Sequence, residues 1–74
     1  MDSKINPAEI VGQNITAEIK QRGIAPAQLA SMLNVPTVTV MRWVTGKRMI
    51  TVYGLLRVSR ILGVPMERFT EGIE

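Results

Sequence analysis

Residues 25–48, APAQLASMLNVPTVTVMRWVTGKR, decide the fold. They read as two short helices around a tight turn, with a basic loop behind the second. The first helix is expected over 26–33. Pro26 has its φ preset and no N–H to lose, which suits a first helical turn. Leu29, Ala30 and Leu33 make one apolar stripe, and Asn34 can turn left-handed at its end. The second helix is expected over 37–45. Val40, Trp43 and Val44 form its stripe, and Gly46 closes it. Val35 to Val40 alternates and is β-branched, which in isolation reads as a strand. Its one partner would be Thr51-Val52-Tyr53, too short for a sheet, so the helical continuation through Trp43 is preferred. Helices this short are marginal alone and require a common core.

The flanks supply that core. Asn6-Pro7-Ala8-Glu9 is a helix start: Asn as N-cap, Pro in the first turn, Glu three residues on as in a capping box. Helix 1 should run over 7–22, with Val11, Ile15 and Ile19 inward, a Glu18–Arg22 pair one turn apart, and Gly23 at its end. Thr51 should cap a fourth helix over 52–62, with Val52, Leu55, Val58, Ser59 and Leu62 inward and Arg57 and Arg60 outward. Gly54 inside it costs about 1 kcal/mol relative to Ala, which close packing or a close phosphate would explain. Gly63 ends that helix. A last turn is expected over 65–69, with Phe69 closing the base of the core. Residues 1–5 read as a flexible arm and 70–74 as a polar tail. The expectation is an all-α, compact five-helix bundle forming a single domain over 1–74.

Composition narrows the function. The 74 residues contain no Cys and no His. That removes disulfides, thiolate metal sites, the usual general base and the commonest metal ligand. With no phosphate-binding glycine loop and no paired core carboxylates, an enzyme is not expected, nor a cofactor or small-molecule ligand. No apolar run reaches membrane-spanning length and no signal peptide opens the chain, so the expected location is cytoplasmic. Net charge is only +3, but it is unevenly spread. From Ile19 to Met66 there is no Asp or Glu, and Lys20, Arg22, Arg42, Lys47, Arg48, Arg57 and Arg60 give +7 against −4 at the two ends. A basic middle between acidic ends suits a face for a polyanion, although solvated helix faces are also often basic.

The ordered set Gly23-Ile24, Gln28-Leu29-Ala30, Leu33-Asn34-Val35, Val40, Arg42-Trp43, Gly46-Lys47-Arg48 and Thr51 to Val64 resembles the Cro/lambda-repressor-like (XRE-type) helix-turn-helix DNA-binding domains. The likeness covers about Val11 to Phe69. It implies the lambda-repressor-like bundle and a small phage- or prophage-type repressor that inserts helix 37–45 into the major groove of a double-stranded DNA operator. With Val40, Trp43 and Val44 inward, the outer face carries Thr37, Val38, Met41, Arg42 and Thr45. The family positions matching Thr37, Val38 and Arg42 are its usual base readers. Arg42 suits the O6/N7 edge of guanine, and Val38 and Met41 suit thymine methyls. Base contacts are therefore expected from Thr37, Val38, Met41 and Arg42.

Phosphate contacts are expected from the free N–H groups of Ala27 and Gln28 at a helix start, and from Thr45, Lys47, Arg48 and Tyr53. The resemblance differs in several places, and one is Val38 and Met41, where the family often has polar side chains. Pro36 stands where the family has a Ser or Thr cap, a role Thr37 could take one residue later. Pro26 replaces a polar phosphate clamp. Val44 occupies the usual acidic place opposite Ile19, so an apolar contact is expected instead of an ion pair. Trp43 is expected in the core. The five methionines form no stripe and read as filler. A homodimer on DNA is implied, with Met49, Ile50, Met66, Phe69 and Ile73 as apolar candidates for its contact. The alternative function is a protein-interaction module, antirepressor or antitoxin-like, docking a partner on Val38 and Met41.

Overall fold

The structure is a computed structural model that describes residues 6–73. Five helices follow one another: α1 (Pro7–Gln21), α2 (Pro26–Leu33), α3 (Thr37–Val44), α4 (Val52–Leu62) and α5 (Met66–Phe69). There is no strand among the described residues, and Val35 to Val40 is the turn and start of α3. The arm assigned to residues 1–5 lies outside the described residues.

Local chemistry starts and stops the helices. The Asn6 side chain accepts from the Ala8 N–H at 2.8 Å, and the Thr51 hydroxyl accepts from the Gly54 N–H at 3.0 Å. Both satisfy donors that a helix start leaves orphaned. Thr37 does not take over the cap of α3. Pro36 itself is the N-cap residue and offers no side-chain bond. At the other ends, Ile24, Val35, Lys47 and Val64 each donate an N–H to the carbonyl five residues back, at 2.9–3.0 Å. This is the 6→1 bond of a Schellman stop. Asn34 adopts φ 60°, ψ 45° to allow it.

The same connecting residues pack the following helix. Ile24, Val35, Ile50 and Val64 stand one place before the caps of α2, α3, α4 and α5. Leu29, Val40, Leu55 and Phe69 stand five residues on. Those four belong to one core cluster that also contains Ile50 and Val64, with Ile24 and Val35 packed against it. The spacing is that of a hydrophobic staple, which fixes the angle at which the chain enters a helix. Ile50 and Phe69 are thus core residues, 6% and 0% exposed, and the expectation that they form a dimer contact is corrected. Ile50 also fills the place assigned to Val52, which projects from the first turn of α4 at 77% exposure.

From α1, Val11, Ile15 and Ile19 enter the core, joined by Leu29, Ala30, Leu33, Val40 and Trp43 from the helical pair. Ile19 is buried and Val44 packs against the same cluster, so apolar groups do occupy the places expected for them. The approach of α1 to α3 depends on Gly12. A Cβ there would fall 2.3 Å from the Trp43 carbonyl oxygen and 2.9 Å from that of Val44. Since both obstacles are backbone, no rotamer change could relieve the clash. Gly12 sets how deeply the end of α3 sits on α1.

One expectation about charge is also revised. Arg57 does not point outward: its guanidinium donates to the Leu33 carbonyl at 2.5 Å. A cation at the C-terminus of α2 meets an orphan acceptor at the negative end of the helix dipole. The Asn14 side-chain amide donates to the carbonyls of Phe69 and Glu71, at 2.8 and 2.9 Å, and so holds the segment after α5 against α1.

Candidate nucleic-acid interface

The inner stripe of α3 is closed to solvent: Val40 is 0% and Trp43 9% exposed. The opposite face is open. Thr37, Val38, Met41, Arg42 and Thr45 are all exposed, as the 3.6-residue period requires once the stripe is anchored. Four of these five, Thr37, Val38, Met41 and Arg42, are the expected base readers. The structure brings them together on one accessible surface.

Basic residues adjoin that surface. The Arg42 carbonyl accepts from the N–H groups of Lys47 and Arg48, at 2.9 and 3.2 Å. The loop is thereby folded back onto the end of α3, with both side chains exposed. Among the described residues, no carboxylate pairs with Arg42, Lys47 or Arg48. Tyr53 stands exposed in the first turn of α4.

The remaining phosphate candidates are sorted by their hydrogen bonds. The Gln28 N–H donates to the Ala25 carbonyl at 2.9 Å and is not free. The Gln28 side-chain oxygen accepts from the Ala25 N–H at 2.8 Å, which leaves its NH₂ as an outward donor with a fixed direction. The Ala27 N–H has no backbone or side-chain partner among the described residues and opens at the exposed start of α2. The Thr45 hydroxyl donates to the Met41 carbonyl at 2.7 Å. Its single proton is committed there, so it offers a phosphate no donor in this arrangement.

The cations near α1 and α5 are held differently. Glu18 is buried, and its two carboxylate oxygens accept from Arg22 at 2.8 Å and Arg68 at 3.2 Å. Burial pushes its carboxyl up, but the hydrogen bonds and charges of the two arginines outweigh that and hold it below the usual value. The Glu18–Arg22 pair is as expected; the Arg68 partner, fifty residues away, is not legible from local spacing.

Two residues that position the site also escaped sequence reasoning. Gly12 had a signal: a glycine inside a helix, beside the core stripe, marks a close backbone approach. Arg57 had none, because its acceptor is a carbonyl on a separate helix.

The whole arrangement has counterparts among solved structures. The DNA-binding domain of BldD matches with a TM-score of 0.79 at 21% identity, covering 92% of this chain and 99% of that one. The S. venezulae BldD DNA-binding domain matches with a TM-score of 0.78 at 22% identity, covering 89% and 99%. At such identity the likeness establishes the fold. No curated protein sequence matches significantly. The helix-turn-helix family model matches residues 15–69. That span is most of the chain and takes in all of α2 to α5, so the chain belongs to the helix-turn-helix family.

Proposed function

We propose that the chain is a sequence-specific, DNA-binding transcription regulator acting in the cytoplasm. It lays α3 in the major groove of a double-stranded operator and represses by occupying DNA that polymerase needs. The observation that carries this reading is the open outer face of α3 with Arg42, Lys47 and Arg48 beside it, in a 48-residue span free of carboxylates. A groove lined with phosphate demands that combination. The solved neighbours are named as DNA-binding domains, which agrees with it.

In this reading Arg42 binds a guanine edge, Thr37 a base or phosphate, and Val38 and Met41 pack on the base edges between. The Ala27 N–H, the Gln28 amide, Lys47, Arg48 and Tyr53 hold phosphates on either side. Thr45 contributes its methyl unless its hydroxyl turns away from Met41. A surface this small gains affinity and specificity by doubling, so the operator is a near-palindrome with half-sites about one turn apart, read by a homodimer. Met49 and Ile73 are the exposed apolar candidates for the dimer contact, with half-buried Met66 beside the core.

Enrichment of bound duplexes from a random pool, repeated at two salt concentrations, tests this. The expected result is a two-fold-symmetric motif whose affinity falls steeply with salt. Arg42→Ala should weaken binding to that motif by about 10–100-fold, the loss of one bidentate guanine contact, without changing stability. The exposed Val38 and Met41 favour one second reading, a protein-docking face. An affinity almost independent of salt, for a protein partner and not for DNA, would establish that reading and remove the first.

A further inference from the structure

Val38 and Met41 are 51% and 40% exposed on the outer face of α3. Neither has a strong donor or acceptor. Arg42 shares this face, and Lys47 and Arg48 are exposed in the loop folded onto the end of α3, so a negatively charged surface would suit it. A major groove meets that requirement, and it presents a single apolar feature on its base edges: the methyl group at C5 of thymine. Uracil and cytosine lack it. 5-Methylcytosine carries it at the same ring position.

Position along α3 narrows the target. Val38 and Arg42 are four residues apart, about 6 Å along a helix axis at 1.5 Å per residue. Base pairs are about 3.4 Å apart. Met41 adjoins Arg42, and one turn separates Val38 from it. Both apolar side chains therefore fall within about two base-pair steps of the group that Arg42 holds. The proton of the neighbouring Thr45 hydroxyl is committed to the Met41 carbonyl at 2.7 Å, so besides Arg42 only the Thr37 hydroxyl, at the start of the helix, offers a side-chain donor on this face.

We infer that the outer face of α3 reads the C5-methyl of a pyrimidine within two base-pair steps of the guanine bound by Arg42, and accepts 5-methylcytosine as well as thymine there. The inference rests on the DNA-binding reading above and names its specificity. Because Val38 and Met41 form no hydrogen bond to the base, they do not distinguish the O4 of thymine from the N4 of 5-methylcytosine. Cytosine methylation at such a step would then raise affinity for a sequence that is otherwise bound weakly.

The test replaces atoms, not sequences. In an enriched duplex, each thymine is exchanged for deoxyuridine, which removes the methyl alone and keeps the pairing edge. At one or two positions within two steps of the guanine, affinity should fall about fourfold per methyl, the scale of burying one such group. Cytosine at those positions should gain a similar factor on C5 methylation. A Val38→Ala/Met41→Ala variant, checked for unchanged helical content, should bind thymine and uracil duplexes equally while keeping its salt dependence. Equal affinity of the unaltered protein for thymine and uracil duplexes at every position would overturn the inference and leave the DNA-binding reading intact. So would an enriched site with no thymine within two steps of the guanine lost in Arg42→Ala. Failure to enrich any sequence would remove both.

Discussion

Three of the four connections between helices have one design, and the fourth departs from it. Gly23-Ile24-Ala25, Asn34-Val35-Pro36 and Gly63-Val64-Pro65 each place one apolar residue between a helix stop and the next cap. That one residue donates the 6→1 stop bond behind it and packs the staple ahead of it. Between α3 and α4 the two tasks are separated. Lys47 donates the stop bond, Ile50 packs the staple, and Lys47, Arg48 and Met49 are all exposed. The packing of the bundle accounts for Ile50 and not for the three residues before it. Extra chain that the core does not use, two of its three residues cationic, is extra chain available for a partner.

The comparison breaks if neighbours in this loop are energetically alike. Ile50→Ala should cost about 2–5 kcal/mol, the range for truncating a buried aliphatic residue. Met49→Ala, one residue away, should stay within about 0.5 kcal/mol, as surface changes do. Urea denaturation of the two variants measures both. A similar cost for each would mean that the loop is part of the core and has no residues to spare.

Lys47→Ala combined with Arg48→Ala sharpens the other half. Stability should again move by less than about 0.5 kcal/mol. Binding should weaken by a similar factor on every duplex, and the slope of log affinity against log salt should shrink by about 2, one unit for each phosphate contact removed. An unchanged slope would place these two cations in solvent alone.

How much of this was readable in advance depends on the range of the interaction. Asn6, Thr51 and Asn34 act on atoms within a few residues of themselves, and their chemistry predicts the helix boundaries within about one residue. The stripe of α3 anchors its outer face, so that face was readable too. Ile50 is not legible this way because its i+5 partner Leu55 lies across a cap, where helical periodicity does not apply. Val52 shows the converse: it has the right period but lies in a first turn that projects from the core. Gly12 against the Trp43 carbonyl and Arg57 on the Leu33 carbonyl depend on how two separate helices meet, and no local pattern encodes that. Nor does one encode the hydroxyl of Thr45, whose choice between Met41 and a phosphate decides whether it belongs to the site.

The smallest effect concerns the cations that the fold itself uses. Lys47 and Arg48 meet no carboxylate among the described residues, whereas Arg22 and Arg68 share Glu18. The Glu18 carboxyl titrates below its ordinary value of 4.5 in the folded chain, so its contribution to stability is complete above that pH. The contribution is lost as pH falls below 4.5 and through the lower folded value, because the unfolded chain binds the proton more readily. Glu18→Gln should therefore lower the melting temperature at pH 7 and make the acid limb of the stability curve shallower. The effect is limited because the Arg22 and Arg68 side chains remain 33% and 47% exposed, so water screens both pairs. A melting curve series from pH 7 to pH 3 resolves it. If the two proteins lost stability in parallel across that range, Glu18 would not be the group that titrates, and the contrast between cations held by the fold and cations left for a partner would rest on Lys47 and Arg48 alone.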